Sequence, residues 1–214
     1  MKKTVLIIWV LLIFTSCFNK TGQKQKDKQS NQADSPIDNT NRPTKHLEDH
    51  KLIFKPDTTI GKICLENSKN INEYLGKNVM KRLVDNGFPH SDVLSSDEKQ
   101  KLTFYFHPGN VTKRFSEFKV EYVTQMNKNT RVTPDKEFKT ESGIRLGIPL
   151  TRLKAIKGKP DSIVKSNAIT ILRYQINNYK NSKFLQRYNM PEYYSDYKFE
   201  NDRLIEFKFG FVYP

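Results

Sequence analysis

From Leu204 to Tyr213 apolar and polar residues alternate almost strictly. Ile205, Phe207, Phe209, Phe211 and Tyr213 fall on one side, and Leu204, Glu206, Lys208, Gly210 and Val212 on the other. A period of two marks a strand with one buried face. The same spacing groups Leu102 with Phe104 and Phe106, and Phe118 with Val120 and Tyr122. One side of such strands meets a core and the other is mostly wet, as in an antiparallel sheet covered on one side. Glu200, Asn201 and Asp202, set between Phe199 and Leu204, predict a hairpin connection.

Helical spacing is rarer. Leu150, Leu153 and Ile156 follow Pro149 and precede Gly158 and Pro160, a helix with a start and a stop. Ile71, Tyr74 and Leu75 end at Gly76, and Val79, Leu83 and Val84 form a third candidate. Helices this short are held by packing on strands. The expected class is α+β in two layers, short helices on an antiparallel β-meander sheet. The halves also share an order: Gly61 to Gly76 and Gly143 to Gly158 are both spaced by fifteen, each second glycine precedes a lysine (Lys77, Lys159), and alternating strands follow. Residues 51–135 and 136–214 are therefore read as two α+β units, duplicates or chance look-alikes.

The N-terminus has a different pattern. Lys2 and Lys3 precede an apolar run from Val5 to Phe14, far short of the ~20 residues a spanning helix needs. Thr15 and Ser16 then supply the small residues of a signal-peptide cleavage site. "FTSC", Phe14 to Cys17, resembles the lipobox of bacterial lipoproteins, with Phe14 where the family usually has an aliphatic residue. The resemblance implies that residues 1–16 are removed and that Cys17 carries diacylglycerol and a further acyl chain. Phe18, in place of Asp after that cysteine, implies sorting to the outer membrane, on its periplasmic face or at the cell surface. Residues 17–50 continue as a polar tether with few aliphatics, a composition that does not offset its ordering entropy.

The second half, "SGIRLGIPLTRLKAIKGKPDS" followed by "ILRY" and "YKFENDRLIEFKFGF", resembles the small outer-membrane lipoproteins that accompany the β-barrel assembly machinery. Gly147, Leu153, Gly158, Pro160, Tyr174, Phe199 and Leu204 occupy the motif positions. The tandem arrangement is similar to β-lactamase-inhibitor proteins, which repeat one helix-plus-sheet unit. The inhibitor family carries disulfides and the assembly lipoproteins have one unit, so both resemblances imply a fold more than a task. With Cys17 lipidated, Cys64 is left alone in the mature chain and reads as a small core residue between Ile63 and Leu65.

Candidate chemistry is sparse. His46 and His50 stand four apart around "LED", but in the polar tether, where a preorganised metal site is not expected; His90 and His107 lack metal-ligand spacing. No nucleophile elbow, phosphate loop or zinc-protease motif occurs, so neither catalytic residues nor a cofactor are assigned. Charge carries more. The chain has a formal net charge of +14, and residues 51–214 hold 29 Lys+Arg against 18 Asp+Glu, or +11. Such a domain is drawn to acidic partners, among which nucleic acid does not suit an envelope lipoprotein. In "RYNMPEYYSDYKF" the residues Tyr188, Tyr193, Tyr194 and Tyr197 read equally as an interface or as a loop tucking tyrosines into the core. The expected function is binding: an accessory subunit for a membrane-associated protein partner, or alternatively an inhibitor or immunity protein against a periplasmic or secreted enzyme.

Overall fold

The computed structural model describes residues 54–67, 69, 71, 89–107, 114–125 and 130–212. Cys17, His46, His50, the tether, Tyr74, Leu75, Gly76, Val79, Leu83, Val84 and Tyr213 lie outside them. The described residues make a sheet-rich α+β fold. A small hairpin pairs β1 (Thr59–Ile60) with β2 (Ile63–Cys64). The main sheet has eight strands: β3 (His90–Leu94), β4 (Gln100–Phe106), β5 (Phe115–Tyr122), β6 (Arg131–Val132), β7 (Ser162–Ser166), β8 (Ile169–Ile176), β9 (Tyr193–Glu200) and β10 (Arg203–Phe211). Their spatial order is β6-β3-β4-β5-β10-β9-β8-β7, antiparallel except where β6 runs parallel to β3.

Two helices belong to the second half. Helix α1 (Leu150–Lys157) begins after extended Pro149 and ends at Gly158, whose φ of 79° favours a residue without Cβ. Leu153 is fully buried, with Leu150 and Ile156 packed partly against the core, as the spacing predicts. Helix α2 (Lys183–Tyr188) was not foreseen. Ser182 caps it by accepting a hydrogen bond from the Leu185 amide, and left-handed Asn189 closes it. A serine three residues before the buried Leu185 was the available signal.

One core runs under both halves. Val93, Leu102, Phe104, Phe118 and Val120 of the first belong to the same buried cluster as Leu172, Tyr174, Tyr197, Phe207 and Phe209 of the second. The seam is the pairing of β5 with β10, from Glu206 opposite Glu121 to Gly210 opposite Glu117. Gly210 is required there: a Cβ would lie 2.3 Å from the Ser116 carbonyl oxygen and 2.6 Å from the Glu117 Cα.

Two strand faces differ from the pattern. In β10 the register against β9 shifts between Leu204 and Glu206, so Ile205 is the extra residue of a β-bulge. Leu204 therefore joins Phe207, Phe209 and Phe211 in the core, and Ile205 is only half-buried. At the end of β5, Tyr122 is 42% exposed, beyond the reach of the core that buries Phe118 and Val120. The β9–β10 turn is as expected, with Asn201 and Asp202 both at positive φ (48° and 63°), the two-residue geometry that suits the twist of a hairpin.

Candidate functional site

The four tyrosines do not form one surface. Tyr193 and Tyr197 are fully buried, and burial holds both hydroxyls protonated well above the ordinary tyrosine range. Tyr194 lies on the opposite face of β9, 9% exposed, with Arg173 and Lys208 over its ring. Tyr188, at the end of α2, is half-buried against Phe184 and Phe211. Alternation along β9 divides them between core and outer face, so they offer no exposed tyrosine edge. Cys64 is half-buried, and burial first, then the Glu141 charge, raises its thiol above the usual range, away from a reactive thiolate.

Spacing alone also hides a buried ion pair. Lys157, in the last turn of α1, places Nζ 2.7 Å from Asp57 Oδ2, and each side chain is 1% exposed. Lys157 also donates to the Lys55 carbonyl at 2.6 Å, Ser142 donates to Asp57 Oδ1, and Tyr193 donates to the Asp57 carbonyl at 2.7 Å. Burial lowers the Lys157 pKa, with Asp57 opposing that shift. The Glu141 carboxylate accepts from two backbone amides, that of Thr58 at 2.6 Å and that of Thr59 at 3.0 Å. These contacts fasten residues 55–59 to α1 and β9. The Lys157–Asp57 pair is closed from solvent and braces the fold.

The outer face of the main sheet is polar and balanced among its mid-strand charges: Lys101, Lys119, Arg173, Lys198 and Lys208 against Asp92, Glu117, Glu121, Asp196 and Glu206. Most are paired. Arg173 meets Asp196 through two hydrogen bonds, Lys208 lies 2.7 Å from Glu117, and Lys119 bridges Glu121 at 2.8 Å and Glu206 at 3.4 Å. Lys208 is also held between the rings of Tyr105 and Tyr194, 5.3 and 5.6 Å from their centroids. Burial raises the Glu117 pKa against the pull of Lys208. A face whose charges satisfy one another attracts a charged partner weakly.

The basic excess lies elsewhere. From Ser142 to Ser166 there are six Lys+Arg (Arg145, Arg152, Lys154, Lys157, Lys159, Lys165) and one acid, Asp161. Lys157 is consumed inside and Arg145 pairs with Glu137. Arg152, Lys154, Lys159 and Lys165 are exposed and form no ion pair among the described residues. Lys154 and Lys165 line the groove beside β7, all five of whose residues are exposed, Ile163 at 47% and Val164 at 59%. Between β7 and α1 runs a groove of about 350 Å³, with Leu150, Ile163, Leu172 and Phe199 as apolar lining and Lys154, Lys165, Thr170 and Asp202 as polar lining. Register explains the arrangement: Ile163 and Lys165 stand opposite Leu172 and Thr170, on the groove side, and Val164 opposite Ile171, on the other. β7 pairs only with β8 among the described residues, so its second edge carries no strand. The motif resemblance covered these positions, but it did not mark them as a surface.

Among the described residues no helix is long and apolar enough to cross a membrane, and no cluster of metal-ligating side chains occurs. The chain matches no protein-family model, no curated protein and no solved structure.

Proposed function

We propose that this chain is an outer-membrane lipoprotein, anchored through Cys17, whose basic domain is a non-catalytic binding or accessory subunit for a protein of the envelope. The observation that carries the binding reading is the β7 margin, where exposed Ile163 and Val164 lie beside Lys154 and Lys165, which form no ion pair among the described residues, while the neighbouring sheet face is charge-neutral. Exposed aliphatic residues beside uncompensated charge suit an interface. The anchor is supported by the "FTSC" sequence and by the physics of acylation, since two or more chains hold a protein stably at a bilayer where one does not.

The two-layer, tandem form of the fold belongs to the same proposal. It is supported by the strand order: β3-β4-β5, with two-residue β6 outside it, and β7-β8-β9-β10 are each sequential meanders whose last strands meet at the seam. Both helices, α1 and α2, bury leucines (Leu153 and Leu185) in the core of the sheet.

Crosslinking in intact cells, followed by purification and identification of what is attached, tests the function. Stoichiometric membrane-associated protein neighbours are expected. Recovery of a soluble enzyme alone, inhibited on addition of this protein, replaces the accessory reading by the inhibitor one. Turnover of an envelope glycan or peptide, abolished by one carboxylate substitution, overturns both. For the anchor, Cys17→Ser should shift the protein from the membrane to the soluble fraction.

A further inference from the structure

We propose that the free edge of β7 accepts an extended acidic segment of a partner protein as a ninth strand of the main sheet. The inference rests on the binding reading above and adds the recognition mode. An unpaired edge presents a row of backbone donors and acceptors to any extended chain that comes alongside, and natural proteins usually shorten, twist or cover such edges. The sheet's opposite edge, β6, has only two residues, Arg131–Val132. β7 has five, none buried, and offers an aliphatic side chain on each face: Ile163 over the groove and Val164 on the other side. An added strand would place alternate side chains on these two faces, half of them toward the apolar groove lining of Leu150 and Ile163.

Charge selects the occupant. Lys154 and Lys165 flank the groove, with Asp202 the one acid lining it. A second copy paired antiparallel over the same five residues would centre on Val164 and bring another Lys165 to the same margin, adding positive charge with no acid to offset it. The chain's own residues 18–50 hold six Lys+Arg against five Asp+Glu and bring no acidic complement. A segment alternating Glu or Asp with β-branched residues satisfies both the edge and the cations.

The test uses the full-length protein in detergent and two synthetic heptapeptides, Glu-Val-Glu-Val-Asp-Val-Glu and its basic counterpart Lys-Val-Lys-Val-Arg-Val-Lys. Binding is read by fluorescence anisotropy, and its place by hydrogen exchange of the amides of residues 162–166. The acidic peptide is expected to bind, to protect those amides, and to lose affinity by about tenfold in Lys154→Glu/Lys165→Glu, with weaker binding at higher salt. Equal binding of the basic peptide overturns the proposal. So does binding of the acidic peptide without protection of residues 162–166, or no binding at all. Protection by phosphatidylglycerol vesicles in place of the peptide assigns the margin to a lipid surface, and protection that grows with protein concentration alone assigns it to self-pairing; either result overturns the acidic-strand occupant. A crosslinked protein neighbour mapped to another surface would leave the binding function standing and remove β7 from it.

Discussion

The two faces of the main sheet are built from the same strands on opposite physical rules. On the inner face Phe104, Phe118, Phe207 and Phe209 are fully buried, and neighbouring rings meet at 5.6 Å between Phe118 and Phe209 and 6.5 Å between Phe207 and Phe209. Here stability comes from area removed from water and from close packing. On the outer face Lys and Glu neutralise one another while half in solvent, where each pair contributes little; across the β5–β10 seam Glu206 faces Glu121 and Lys208 faces Lys119, and the diagonal contacts of Lys119 with Glu206 and Lys208 with Glu117 offset those like charges. The inner face supplies stability, and the outer face a wet surface whose charges cancel through diagonal and lateral pairs.

The contrast is broken most severely from within. Phe209→Ala should cost about 3–5 kcal/mol in urea unfolding, because its cavity is bounded by Phe118 and Phe207 in a packed core. Lys157→Met should cost a similar ~3–5 kcal/mol by stranding the Asp57 carboxylate. Asp57→Leu/Lys157→Met, removing both charges, should lose much less than the sum of the single changes; additive losses would show that the two groups are not coupled.

Alkaline pH offers a graded attack on the inner face. Burial, with Asp161 adding to it, pushes the Tyr174 pKa up to about 12, and Tyr193 and Tyr197 are raised as well. The unfolded chain releases these protons near the ordinary value of about 10, before the folded one does. The stabilisation is thus complete below pH ~10 and is lost as pH climbs toward the folded values. Chemical denaturation followed from pH 8 to 12 should show a falling midpoint only in the upper half of that range (roughly above pH 10), with tyrosinate absorbance appearing together with unfolding. Tyrosinate rising in the still-folded protein would place these hydroxyls in contact with solvent.

Smaller effects sharpen the comparison at its seam and on its wet side. Gly210→Ala forces β5 and β10 apart at the Ser116 carbonyl and should cost about 1–3 kcal/mol, with faster hydrogen exchange along both strands. Arg173 and Asp196, 49% and 25% exposed, should show a coupling of less than about 1 kcal/mol in a double-mutant cycle, shrinking further in high salt. A larger, salt-resistant coupling would mean that the outer face is covered in solution.

Which parts were legible follows from the range of the forces involved. The alternation of Phe207, Phe209 and Phe211 named the buried side of β10, but the bulge at Ile205 reversed the parity at Leu204. Tyr188, Tyr193, Tyr194 and Tyr197 looked like one cluster because they are close in sequence, whereas a strand throws neighbours to opposite faces. Nothing local in the sequence marks Lys157 as buried, since its partner, the carboxylate of Asp57, lies one hundred residues earlier. The basic bias of residues 142–166 was countable, yet its value depends on which cations lack partners.

By itself the sequence determined the local grammar: strands of period two, α1 between Pro149 and Gly158, and the turn at Asn201-Asp202. Backbone preferences and side-chain spacing act over a few residues, so a short window contains them. Only the tertiary structure decided that β5 meets β10, that Lys157 turns inward to Asp57, and that β7 has β8 as its one strand neighbour among the described residues. Those outcomes are set by competition among distant segments for one core and for one another's hydrogen bonds, and no short window holds both competitors.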